Sequence, residues 1–213
     1  EFRRVLFRSV RLPVFVVLGL AGFGLRRLMH AEDGRRVVRA ALVQPSIPQT
    51  LIWNPDEATN RFEQIYRLSA MAAEGRPDVI IWPEGSLPGI GQEQFRRMTS
   101  LVREAGCWWI FGGDDVETTG ASTNYYNSAF LFSPEGRFVS TYRKRRLVIF
   151  GEYVPLETWL PFMRWLTPIG GGFSSGPGPV DFVLGSNGPV ASPLICFEDT
   201  FPHGTREHVG DRS

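Results

Sequence analysis

Lysine is nearly missing from this chain: of 23 cationic side chains, 22 are arginine and one is Lys144. Other absences narrow the chemistry further. Two cysteines, Cys107 and Cys196, are too few for a disulfide scaffold or a Cys-rich zinc module, although one disulfide stays possible on count. Three histidines (His30, His203, His208) argue against a His-based metal site. Charge of one sign is not in excess. Lys+Arg at 23 against Asp+Glu at 22 leaves a net charge of +1, which excludes a general electrostatic nucleic-acid binder. No internal repeat or low-complexity tract is present. What remains is a chain of 213 residues, 43% hydrophobic and 21% charged, enough to bury the core of one domain.

The single lysine carries information. A chain that places arginine wherever a positive charge is needed has kept an ammonium at Lys144, inside the basic run 142–146 (YRKRR). Ammonium is a compact point charge and guanidinium a wide planar fork, so the two are not exchangeable at a constrained site.

Residues 12–25 (LPVFVVLGLAGFGL) form the most hydrophobic window, uncharged and flanked by Arg3, Arg4, Arg8 and Arg11 before it and Arg26 and Arg27 after. Fourteen residues fall short of the roughly 20 that span a bilayer. A signal-peptide core, a buried helix and the end of a transmembrane helix all fit the window. No small-residue cleavage site follows, which favours the last of these, a partial transmembrane helix over 10–30. Residues 1–9 (EFRRVLFRS) interrupt the upstream apolar pattern with three arginines and read as a non-native scar.

From residue 37 to 213 the pattern is globular. Buried strands are expected at 37–43, 78–82 and 107–111, the last closed by Gly112-Gly113. Helices are expected at 56–73 and 92–105, from apolar residues recurring on one face. A β-hairpin is expected from 127–132 and 137–142 around Ser133-Pro134-Glu135-Gly136. Two more strands are expected at 180–184 and 189–196, and a helix start at 205–209. This order argues for an α/β layered domain.

Three reactive groups fall just after expected strands, where α/β folds place their active residues. Glu84 follows DVIIW and could equally cap a helix. Cys196 follows PVASPLI and could equally be a buried structural thiol. Lys144 follows the hairpin and could equally belong to a solvated basic face. Together they supply what a thiol nucleophile needs: a base to take its proton and a cation to hold oxyanion charge. A Cys–His pairing stays open, with His203 and His208 shortly after Cys196.

The set Trp82-Pro83-Glu84, Tyr142-Arg143-Lys144 and Ile195-Cys196-Phe197-Glu198 resembles the Glu-Lys-Cys triad of the nitrilase (carbon–nitrogen hydrolase) superfamily. Within it, residues 142–157 (YRKRRLVIFGEYVPLE) resemble the apolipoprotein N-acyltransferases. Val43-Gln44-Pro45, Trp53-Asn54-Pro55 and residues 24–28 fit the same group. The resemblance implies a nitrilase-like αββα sandwich, incomplete here and truncated at its C-terminal end, preceded by the end of a transmembrane helix. It implies Glu84 as general base, Cys196 as nucleophile and Lys144 as oxyanion partner, with Glu152, Glu198, Trp53 and Phe197 in supporting or substrate-binding roles. Relatives often carry tyrosine where Phe197 stands. No cofactor or metal is implied. The implied partners are a phospholipid acyl donor, the diacylglyceryl-cysteine at an apolipoprotein N-terminus, and the membrane. The implied location is the bacterial inner membrane with the catalytic domain on its outer face. The resemblance further implies that this stretch is a piece of a longer enzyme, inactive by itself.

Two other functions compete. A soluble or anchored amidase or nitrilase would use the same triad on a small C–N substrate with water as acceptor. A membrane-anchored binding module would carry the triad as a relic. The apolar stretch 159–166 (WLPFMRWL) suits a lipid-facing arm better than a lid over a small polar pocket, though core packing would also explain it.

Overall fold

The computed structural model describes residues 2–29, 37–48, 51, 54–86, 91–155 and 172–209. The chain divides into two units, Glu1–Val37 and Val38–Ser213. Trp53 and the stretch 159–166 lie outside the described residues.

The first unit is one helix, α1 (Phe2–Met29), 28 residues long. Its backbone runs unbroken through residues 2–9 and past Pro13. Within it, Leu12–Met29 is long and apolar enough to cross a membrane, and none of that window is buried. Eighteen residues at 1.5 Å rise span about 27 Å, close to the thickness of a bilayer's hydrocarbon core. Exposure of Phe15, Leu18, Leu20 and Phe23 sets it apart from a soluble protein's core helix. Arg26 and Arg27 close the last turn, where positive charge complements the helix dipole.

In the second unit the elements are β1 (Ala40–Leu42), α2 (Ala58–Glu74), β2 (Val79–Ile81), α3 (Gln92–Ala105), β3 (Trp108–Thr119), β4 (Ser122–Phe132), β5 (Phe138–Arg143), β6 (Phe182–Val183), β7 (Val190–Ala191) and α4 (Pro202–Val209). A five-stranded sheet runs in the order β1-β2-β3-β4-β5. Its first three strands are parallel and its last three antiparallel. The hairpin β6-β7 forms a second small sheet.

The alternation of side chains along each strand sorts the core into two layers. Ile80, Trp82, Trp109, Phe111 and Phe132 pack with Phe62 and Ile65 of α2 and Met98, Leu101 and Val102 of α3. Val79, Ala129, Leu131 and Tyr142 face the other way, against Phe182, Leu184 and Ile195. The order is therefore helices, main sheet, second sheet.

Several expectations are revised. The buried strands expected at 37–43 and 180–184 reduce to Ala40–Leu42, with Leu42 74% exposed, and Phe182–Val183. Gly112 and Gly113 do not close β3, which continues to Thr119 opposite a β4 that begins at Ser122. Glycine here permits a close approach rather than ending the strand. A Cβ on Gly112 would lie 2.8 Å from the Pro83 carbonyl oxygen and 2.9 Å from Glu84 Cα. The expected strand at 189–196 reduces to Val190–Ala191. Cys196 instead opens a 3-10 turn, Cys196–Thr200, after Pro193, which has no N–H to pair. The tight turn at Ser133–Gly136 is as expected, with Gly136 at φ 70° donating to the Ser133 carbonyl.

Candidate active site

Glu84 is placed by the end of β2. Trp82 N–H donates to the Ile110 carbonyl, and its indole donates to Ser69 Oγ at 2.8 Å, which in turn donates to the Ile65 carbonyl of α2. The strand end is thereby fixed to the helix layer. Pro83 and Gly85, at φ 60°, then turn the chain so that Glu84 rests against Gly112 of β3.

Lys144 follows β5 directly and extends its pairing by one bond, its N–H donating to the Asn127 carbonyl at 2.8 Å. Its side chain is 1% exposed, buried despite its charge. Nζ lies 2.8 Å from Glu152 Oε1 and 3.3 Å from Glu84 Oε1. Asn127 Nδ2 donates to the same two oxygens, at 3.1 Å to Glu152 and 2.6 Å to Glu84. One ammonium and one amide thus bridge the two carboxylates.

Glu152 is presented by a tight turn over residues 148–153. Glu152 N–H donates to the Val148 carbonyl at 2.8 Å, and Val148 N–H returns the bond to Glu152 Oε2 at 2.9 Å. Phe150 takes a left-handed φ of 60° to make the turn.

Burial of Lys144 alone would favour its neutral amine. The hydrogen bond that Lys144 donates to Glu152 and the charges of Glu84 and Glu152 outweigh it and hold the ammonium above the usual lysine range. The lysine is therefore fully charged at neutral pH.

Cys196 is exposed and takes a left-handed φ of 53°, a conformation uncommon for a side chain bearing a Cβ. Cys196 and Glu84 line one cavity of about 370 Å³, whose wall includes Ile81, Ile110, Phe182 and Ile195. Lys144 reaches that cavity through its contact with Glu84 and is not itself in the lining. Cys107 is buried just before β3, among the helix-side core residues. Burial, and then the nearby Asp78 charge, push its thiol up.

Glu198 does not join the lysine cluster. Its buried carboxylate accepts Arg145 N–H at 2.8 Å and Arg146 N–H at 3.0 Å on Oε1, and Ile195 N–H at 2.9 Å on Oε2. Those donors flank Lys144 on one side and Cys196 on the other, so Glu198 joins the two segments. Phe197 is 51% exposed, edge-on to Phe201 at 5.6 Å and absent from the cavity lining. His203 is exposed on α4 and also outside that lining. Among the described residues no group of three or more His, Cys, Asp or Glu side chains could hold a metal ion.

The sequence pattern did not single out Asn127. Its signal was parity: it shares a sheet face with Ala129 and Leu131, so an amide in an otherwise apolar stripe points inward.

The profile of the carbon-nitrogen hydrolases matches residues 39–212. The chain belongs to the carbon-nitrogen hydrolase family. It is similar to the apolipoprotein N-acyltransferase of Geobacter metallireducens, 35% identical over 206 residues, covering 95% of this chain and 39% of that protein. It is similar also to the apolipoprotein N-acyltransferase of Brucella suis, 34% identical over 208 residues, covering 91% of this chain and 38% of that protein. The chain thus spans about two fifths of the length of these curated relatives. Among solved structures it resembles an amidase from Nesterenkonia sp., with a TM-score of 0.54 at 17% identity, covering 80% of this chain and 59% of that one. A mutant of that amidase, described as from the nitrilase superfamily, gives a TM-score of 0.55 at 18% identity. The fold is the nitrilase-type fold that the motifs implied.

Proposed function

We propose that this protein is an apolipoprotein N-acyltransferase, with Glu84 as base, Cys196 as nucleophile and Lys144 as oxyanion partner. One observation carries the reading. Glu84 touches the chain's only lysine and shares an apolar-walled cavity with an exposed thiol. The names of the relatives at 34–35% identity supply the substrate class.

The first half-reaction is acyl transfer to sulfur. Glu84 takes the Cys196 thiol proton, and the thiolate attacks the ester carbonyl carbon of a phospholipid. The oxyanion that forms is stabilised by the Lys144 ammonium, which needs no proton transfer to act. Collapse breaks the ester C–O bond. Glu84 returns its proton to the departing oxygen, leaving a Cys196 thioester and lysophospholipid. In the second half-reaction the α-amine of a diacylglyceryl-cysteine attacks the thioester carbonyl. Glu84 takes the amine proton, the C–S bond breaks, and the thiolate is reprotonated as the amide forms. Splitting the transfer into two steps lowers each barrier.

Glu152, 2.8 Å from Nζ, keeps Lys144 in place beside Glu84. An apolar cavity wall suits an acyl chain, and the exposed apolar helix α1 suits attachment at the inner membrane, with the catalytic unit on its outer face. Trp53 and Phe197 stay as candidate substrate-contacting residues on the strength of the resemblance alone.

The test is product analysis with the full-length protein. Incubation with phospholipid and a diacylglyceryl-cysteine peptide yields the N-acylated peptide and lysophospholipid in equal amounts. Release of ammonia from small amides, with no acylated peptide, would instead establish an amidase.

A further inference from the structure

We propose that Tyr142 is a positioning residue for this reaction, its hydroxyl acting through Glu198 to hold the Cys196 turn against the Lys144 segment. The inference rests on the assignment of Cys196 and Lys144 made above and concerns what fixes their separation.

Tyr142 lies in β5, paired with Ala129, two residues before Lys144. Its ring is completely buried among Leu131, Phe182 and Ile195, so its hydroxyl projects from a fixed point in the sheet. That hydroxyl lies 2.8 Å from both oxygens of Glu198. The backbone donors Arg145, Arg146 and Ile195 each reach one oxygen only. Tyr142 therefore anchors the carboxylate head from the sheet side, at equal distance from both oxygens, and the backbone donors fix which oxygen faces which segment.

The consequence reaches both reactive groups. Oε1 holds the two residues after Lys144, and Oε2 holds the residue before Cys196. Glu198 is only 3% exposed, so bulk water cannot replace a lost donor without opening the turn. Cys196 also sits in a left-handed backbone conformation, which persists only where its surroundings enforce it. Releasing the carboxylate relaxes that turn and moves the thiol relative to the ammonium. Nothing in this chain of contacts requires Tyr142 to touch substrate.

The experiment uses full-length protein with Tyr142→Phe, Glu198→Gln and the double variant. Thioester formation at Cys196 from phospholipid is followed by intact mass, and each variant's melt is recorded. Tyr142→Phe removes one oxygen and keeps the ring. A lost hydrogen bond to a charged group corresponds to about a ten- to hundredfold fall in kcat. KM for the lipid is expected to stay unchanged. In the Glu198→Gln background the charged acceptor is gone, and the same substitution costs markedly less than it does in the parent.

A merely structural role for the tyrosine would repeat its loss in both backgrounds, and that result overturns the proposal. Parent-like kcat for Tyr142→Phe overturns it as well. If Tyr142→Phe loses its cooperative melt, Glu198→Gln alone decides: it must slow acylation with KM unchanged, and a parent rate refutes the link. A parent protein that forms no thioester would fail the functional reading itself, and the inference would fall with it.

Discussion

Replacing Lys144 with methionine tests the buried charge cluster. Methionine nearly matches the length of the lysine stem but removes the ammonium from between Glu152 and Glu84. The Glu152 side chain is 12% exposed and loses its closest cationic partner, at 2.8 Å. Breaking a buried pair on one side costs roughly 3–5 kcal/mol, because the remaining charge stays desolvated. Two donors stay on Glu152, from Asn127 and Val148, which favours the lower end of that range. Glu84 is 37% exposed, and solvent screening holds its share to roughly 0–1 kcal/mol. A net loss of about 3 kcal/mol lowers the melting temperature of a unit this size by roughly 6–12 °C. The assay is a thermal melt of full-length protein followed by tryptophan fluorescence, comparing Lys144→Met with Lys144→Met/Glu152→Gln. The second substitution neutralises the stranded carboxylate and restores most of the loss. A Lys144→Met melt within 2 °C of the parent, or a double variant less stable than the single, would refute the reasoning.

Gly112→Ala places a methyl against the Pro83 carbonyl and Glu84 Cα, so the Glu84 turn must move. Acylation is expected to fall about tenfold or more, while Gly113→Ala, whose nearest neighbour is a Phe130 ring atom at 3.5 Å, stays close to parent. Iodoacetamide at pH 8 is expected to label Cys196 and spare Cys107, whose thiol is buried and pushed up in pKa; peptide mapping reads the ratio. The raised Lys144 also makes stability pH-dependent with a definite sign. Its contribution is complete below the unfolded lysine value of about 10.4 and is lost as pH rises through the higher folded value. The melting temperature of the parent should therefore fall more steeply above about pH 10 than that of Lys144→Met.

Some strand and helix ends were legible because each depends on local chemistry. β2 stops where Pro83 removes a donor, and α3 runs over Gln92–Ala105 as its apolar spacing predicts, ended by Gly106 at φ 60°. The lone lysine marked a constrained position without any structure, and its burial agrees with that. Gly112-Gly113 misled because a glycine pair reads as a turn. Only the Glu84 segment, distant in sequence, shows that the pair is a contact surface. The strand before Cys196 was over-extended for a similar reason. Apolar composition at 189–196 reflects packing of Ile195 and lining of the cavity by Leu194, not pairing. The roles of Asn127 and Tyr142 were invisible because both depend on carboxylates 25 to 56 residues away.

The central claim is that Cys196 carries the acyl chain and that Glu84 and Lys144 make this possible. Intact-mass analysis of full-length protein after incubation with phospholipid tests it directly. The account predicts a mass increase of one acyl chain, mapped to Cys196 and removed by neutral hydroxylamine. The adduct should be absent in Cys196→Ala and slowed about 10²–10³-fold in Lys144→Arg, where the charge is kept but the point donor is lost. Lipid turnover with no adduct, an adduct on another residue, or Lys144→Arg acylating at the parent rate would contradict it.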